Sequence, residues 1–110
     1  MEITTRREKD AIVVSLKGSL DTLSYIDFDK TMEALMAQGD KDFIFDLAEL
    51  EYISSSGLKS LLTMGRKLEN RGGHLFLFSL QNMVKDVFKI SGTSTIIPIY
   101  ESLEEAFAQI

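Results

Sequence analysis

Apolar positions along the chain switch repeatedly between short runs and helical spacing. The segment Glu2 to Arg7 is a weak strand candidate, and the polar turn Glu8-Lys9-Asp10 follows it. Ile12-Val13-Val14-Ser15-Leu16 is β-branched, partly alternating and ended by Gly18. Two such runs around a short turn predict a β-hairpin. From Leu23 to Ala37 the residues Phe28, Met32, Leu35 and Met36 fall on one helical face. Asp21 or Thr22 can cap this helix through a side-chain oxygen, and Gly39 suits the left-handed position at its end.

Phe43-Ile44-Phe45-Asp46-Leu47 is nearly continuous in apolar residues and predicts a strand covered on both faces. Helical spacing returns with Leu58, Leu61, Leu62, Gly65 and Leu68, and Gly72-Gly73 stops it. Gly65 lies in the apolar stripe, where it lets helix and sheet approach at some cost in helix propensity. Leu75 to Phe78 predicts another buried strand. Met83, Val84, Val87 and Phe88 mark a third helix, with Ser79 or Asn82 as cap and Gly92 as stop. Ile96 to Tyr100 predicts a last strand, placed at an edge because Pro98 cannot donate to a ladder. Ser102-Leu103-Glu104-Glu105 fits a capping box that opens a terminal helix running to Ile110.

The predicted order is β-β-α-β-α-β-α-β-α. Alternating strands and helices imply an α/β fold with right-handed crossovers. The sheet is expected to be mixed and mostly parallel, with an antiparallel N-terminal hairpin and about four covering helices. At 110 residues the chain reads as one domain, 1–110.

Composition narrows the chemistry. There is no Cys and only one His, His74, which removes thiolate metal sites, disulfides and cysteine nucleophiles. Twelve basic residues against seventeen acidic ones give a net charge of −5, which argues against a nucleic-acid coat. Apolar runs are too short for a bilayer span, and the first residues lack a signal-peptide core. The expectation is a cytoplasmic protein with no membrane insertion, no cofactor and no metal.

The most unusual stretch is Glu51-Tyr52-Ile53-Ser54-Ser55-Ser56-Gly57-Leu58, read as a loop between a buried strand and an amphipathic helix. Three hydroxyls near a helix start can serve as caps, and they can also accept a phosphoryl group of about −1.5 to −2 charge. A cap and a modification site are compatible. Asp21 and Asp46 are expected near the same rim of the sheet. Structural roles for them rank ahead of holding a magnesium ion. Gly57-Leu58-Lys59-Ser60 lacks the spacing of a triphosphate-binding loop. His74 is expected at the opposite end of the sheet from the serines, so no base stands beside them. Lys59, Arg66 and Lys67 share a broad helical face, with Arg71 beyond them. Such a face is ordinarily solvated, and docking of an acidic partner is the functional alternative.

These residues carry a family likeness. The chain resembles the STAS domain, and within it the small bacterial anti-sigma factor antagonists of the partner-switching type. The likeness runs through Leu16-Lys17-Gly18-Ser19-Leu20-Asp21, Phe45-Asp46-Leu47 to Ile53, Ser55-Ser56-Gly57-Leu58, Gly72-Gly73-His74-Leu75, Ile90-Ser91-Gly92 and the ending with Glu104-Glu105-Ala106. The resemblance implies a binding module without catalysis. Unphosphorylated, it would engage an anti-sigma factor with ATP-dependent serine kinase activity and free the sigma factor. Phosphorylation of Ser55 would block binding, and a phosphatase would restore it. Ser54 and Ser56 stand as alternative acceptors. The implied docking residues are Asp21, Thr22, Ser54, Ser55, Ser56, Gly57, Lys59, Ser91 and Gly92. Where the family usually has Asp before the modified serine, this chain has Ser54. That departure keeps a second role open, as a STAS-like scaffold in a stress-sensing or lipid-transport complex. A small-ligand binder or enzyme built on Asp21, Asp46 and the serines would be a third.

Overall fold

The computed structural model describes residues 1–110. Ten elements follow in order: strands β1 (Glu2–Glu8) and β2 (Ala11–Leu20), helix α1 (Tyr25–Ala37), strand β3 (Asp42–Ile53), helix α2 (Ser55–Asn70), strand β4 (His74–Phe78), helix α3 (Asn82–Ile90), a 3-10 turn (Thr93–Thr95), strand β5 (Ile99–Tyr100) and helix α4 (Leu103–Phe107). The five strands lie in sequence order across one sheet. β1 pairs antiparallel with β2 as the expected hairpin, and every later pair is parallel.

The sheet divides the core in two. Val14, Leu16, Phe43, Phe45, Leu47 and Leu77 meet Phe28 and Met32 of α1, Leu61 and Leu68 of α2, and Val84 and Phe88 of α3. On the other face Ile44, Phe76 and Phe78 meet Ala106 of α4. Alternation along β3 therefore feeds both layers, as its continuous apolar run requires. Each fully buried large side chain here contributes about 1.5–3 kcal/mol relative to exposure. No helix is long and apolar enough to cross a membrane.

Several boundaries differ from the sequence reading. β3 continues past Leu47 to Ile53, so only Ser54 connects it to α2. The extension was hidden by two bulges. Against β2, the register advances from Ser15↔Asp46 to Lys17↔Glu49, then from Gly18↔Leu50 to Ser19↔Tyr52. Each step adds a residue to β3 and breaks the two-residue alternation. The buried positions become Leu47, Leu50 and Ile53, three apart.

The last strand shrinks to Ile99–Tyr100 because Thr93 turns the chain first, its carbonyl accepting from Ile96 and Ile97. Pro98 stands just outside that edge strand, and its carbonyl still accepts the Leu77 amide at 3.0 Å. α3 is capped by neither Ser79 nor Asn82. Gln81 holds the N-cap position without a capping bond, and its side chain donates to the Ala48 carbonyl at 2.8 Å. Ser102 caps α4 as expected, its hydroxyl accepting from the Glu105 amide, but the Glu105 carboxylate returns to the Glu101 amide, one residue before the cap, rather than to the Ser102 amide of a full capping box. Arg7 ties the hairpin to Asp40 at 2.8 Å, and that carboxylate raises the pKa of the guanidinium above its ordinary value.

Candidate functional site

The site forms where β2 and β3 end beside the start of α2. The Ser54 amide donates to the Leu20 carbonyl at 2.9 Å, which brings the last residue of β2 against the residue that opens α2. Gly57 makes that approach possible. A Cβ there would lie 2.6 Å from the Leu20 oxygen and 2.9 Å from Leu20 and Ile53 side-chain carbons.

The three serines have separate roles. Ser54 is extended, with φ −90° and ψ 174°, and its Oγ accepts from the Gly57 amide at 3.2 Å. It is the N-cap of α2, a position where Ser and Asp serve about equally well. Ser55 follows on the first turn, exposed to solvent, and its hydroxyl has no hydrogen-bond partner. Ser56 is half-buried and faces a groove between α1 and α2. The serines therefore sit on a strand-to-helix junction rather than in the loop expected from the sequence.

The turn before α1 flanks them. Asp21 and Thr22 were expected to cap that helix, but the helix starts at Tyr25 with Ser24 at the N-cap position. The Asp21 carboxylate instead accepts from the Leu23 amide at 3.0 Å and, as the longer arm of a shared bond, from the Ser24 hydroxyl at 3.2 Å. Ser24 Oγ also accepts from the Asp21 amide at 3.0 Å and donates to the Ser19 carbonyl at 2.8 Å. This polar knot holds Thr22 and Leu23 outward, and Leu23 is 91% exposed. The sequence reading missed Ser24 and Leu23. The Asp21-x-x-Ser24 spacing signals such a turn, whereas the exposure of Leu23 depends on where α1 begins.

Asp46 does not join the site. It lies opposite Ser15 and Phe78, within β3, and its carboxylate accepts from the Ala48 amide at 3.0 Å. It satisfies an amide freed by the first bulge, which is the structural role ranked first for it. No group of three or more His, Asp or Glu side chains converges as a metal site. His74 begins β4 at the other end of the sheet and pairs with Asp42 at 2.8 Å.

The basic residues of α2 divide between its flanks. Lys59 and Lys67 border the α1–α2 groove, whereas Arg66 lies on the far side with Glu69 and His74. The single broad basic face expected from spacing is therefore split. Lys67 pairs with Glu33 at 3.3 Å, and Arg71 donates to the Met36 carbonyl at 2.7 Å. The groove holds about 270 Å³ over Phe28, Met32, Met36 and Met64. Ser91 and Gly92 end α3. The Ser91 hydroxyl bonds Phe88 and Thr93, Gly92 takes φ +79°, and neither is hydrogen-bonded to the serine junction.

Chemically, the junction offers one exposed free hydroxyl on Ser55, a second hydroxyl on Ser56 that faces the groove, and a cap already in use on Ser54. It carries no general base within hydrogen-bond reach of Ser55.

Comparison with known proteins agrees with this architecture. The STAS domain model matches residues 2–106. The chain is 31% identical over 108 residues to BtrV of Bordetella bronchiseptica, which is named as an anti-sigma factor antagonist; the match covers 98% of this chain and 93% of that protein. It is 28% identical over 93 residues to the anti-sigma-B factor antagonist of Listeria monocytogenes, covering 84% and 82%. Among solved structures, an anti-sigma factor antagonist from Mycobacterium paratuberculosis superposes with a TM-score of 0.89 at 21% identity, over 99% of this chain and 92% of that one. SpoIIAA of Bacillus in its phosphorylated form superposes with a TM-score of 0.74 at 23% identity, over 98% of each chain.

Proposed function

The chain belongs to the STAS domain family, and from that premise we infer that it acts as an anti-sigma factor antagonist switched by phosphorylation of Ser55. The unphosphorylated form binds an anti-sigma factor and so releases the sigma factor. The same anti-sigma factor is the serine kinase. Ser55 Oγ attacks the γ-phosphorus of ATP in the kinase. The Oγ–P bond forms as the bond to the β–γ bridging oxygen breaks, ADP leaves, and the serine proton passes to a kinase base. A phosphatase reverses the state: water attacks phosphorus, the Oγ–P bond breaks, inorganic phosphate leaves and the serine recovers a proton. This chain is substrate and ligand, with no catalytic role, and the cycle runs in the cytoplasm where ATP is present.

The observation that carries the choice of Ser55 is its free, exposed hydroxyl, set against a Ser54 hydroxyl occupied as the helix cap and a Ser56 turned into the groove. Ser54 in place of the usual Asp keeps the cap, so the presentation of Ser55 is unaltered. A neutral rim can pack against a partner surface. A dianion there must be desolvated or face partner charges, and about 1.4 kcal/mol of such cost is already tenfold in affinity.

The test is direct. The protein is mixed with an anti-sigma factor kinase from the same genome and with ATP, and the phosphosite is mapped by mass spectrometry. Modification of Ser55, lost in Ser55→Ala, and weaker binding by Ser55→Asp are the expected results. Phosphate on another residue, or equal binding by wild type and Ser55→Asp, would overturn the reading.

A further inference from the structure

We propose that Lys59 is the built-in counter-ion of the phosphoryl group on Ser55, an assignment that rests on the reading of Ser55 as the modified residue. Phosphorylation then acts twice on the docking face: it adds a negative charge and withdraws a free cation.

Ser55 and Lys59 are four residues apart within α2. Side chains at that spacing share a helical face, and an acid N-terminal to a lysine is the favourable order. Lys59 is exposed and makes no ion pair or hydrogen bond. Two other cations toward the end of the helix are engaged, Lys67 by Glu33 and Arg71 by the Met36 carbonyl. Arg66 lies on the opposite flank.

The acids around Lys59 leave it available. The first turn of α2 contains none. Across the groove α1 presents Asp29 and Glu33, but neither forms an ion pair with Lys59, and Glu33 is held by Lys67. Asp21, which follows the Leu20 carbonyl that meets the start of α2, accepts from the Leu23 amide and lies 3.2 Å from the Ser24 hydroxyl. A phosphoserine brings three acceptor oxygens and about −1.5 to −2 charge. The lysine ammonium is a compact charge on a flexible stem and can follow it. No part of the fold needs to move for the pair to form.

The experiment uses the full chain with phosphoserine installed at position 55 by codon reassignment, so that no kinase is involved. The phosphate is titrated by ³¹P NMR in the wild-type sequence and in Lys59→Met and Lys59→Arg. Helix-start amides are common to all three, so differences belong to residue 59. With Lys59 present, the second phosphate pKa should lie about 0.3 pH unit below that of Lys59→Met, a twofold change in proton affinity. Lys59→Arg should keep the wild-type value, and raised salt should shrink the difference. Identical titrations in wild type and Lys59→Met would overturn the proposal. The kinase assay reports separately on Ser55: a ³¹P difference with no kinase modification would leave the ion pair and remove its regulatory setting, whereas modification without the difference would remove the ion pair alone.

Discussion

The carbonyl of Leu20 accepts the amide of Ser54 at 2.9 Å, and the Cα of Gly57 passes so close to the same oxygen that a methyl group would lie 2.6 Å from it. One backbone oxygen thus fixes the end of β2, the cap of α2 and the depth at which that helix begins. The position of Ser55 follows from this contact, since it lies between the two residues that touch Leu20.

Gly57→Ala should therefore be costly. The obstacle is a backbone carbonyl, which cannot rotate away as a side chain end could. A loss of about 1–3 kcal/mol in urea unfolding is expected. Gly65→Ala is the control. Its methyl would meet Leu75 Cδ2 at 3.3 Å, and the gain in helix propensity of about 1 kcal/mol offsets the crowding. Its unfolding midpoint should stay close to wild type.

Ser54 and Ser55 should separate cleanly in stability. Ser54→Ala removes the acceptor for the Gly57 amide and should cost about 1 kcal/mol, while Ser54→Asp should restore it. Ser55→Ala removes a hydroxyl that bonds nothing and should stay within about 0.5 kcal/mol of wild type. Thermal or urea unfolding of the three variants checks this. A larger loss for Ser55→Ala than for Ser54→Ala would contradict the cap assignment.

Ser24→Ala breaks the knot that shapes the turn before α1, removing the acceptor for the Asp21 amide and the donor to the Ser19 carbonyl. A loss of about 1–2 kcal/mol is expected. Hydrogen exchange should quicken at Asp21 and Leu23, while core amides of α1 follow global stability alone.

Leu23 is 91% exposed. Leu23→Ser should leave the unfolding midpoint unchanged. On the proposed function it should weaken binding to the anti-sigma factor by about tenfold, as loss of an apolar contact of 1–2 kcal/mol would. Calorimetry of the complex, with unfolding of the free variant, separates the two effects.

Much of this molecule was legible from residue order because its strong signals are local. The hairpin, the helical spacing of Phe28, Met32 and Met36, and the Ser102–Glu105 cap each depend on neighbours a few residues apart. What escaped depends on pairing between distant segments. The extra length of β3 is set by its register with β2, and the bulges erase the alternation that would have marked it. Asp46 was misplaced for the same reason: with six more strand residues beyond Leu47, a residue expected at the rim lies within the strand. The cap role expected for Asp21 gives way to a turn, because both a helix cap and a preceding turn call for a short acidic side chain. Lys59 and Arg66 were grouped by angle alone, and only the packing of α1 against one flank of α2 separates them.

With a single residue joining β3 to α2, there is no slack through which a chemical change at Ser55 could be converted into a swing of the helix. On the proposed function, information would leave this protein as an altered surface read by collision. The speed of switching would be that of the enzymes adding and removing phosphate, and free forms with and without phosphate should share one backbone outline. An inhibitor of the switch would have to cover the junction itself, because no remote hinge is offered by that connection.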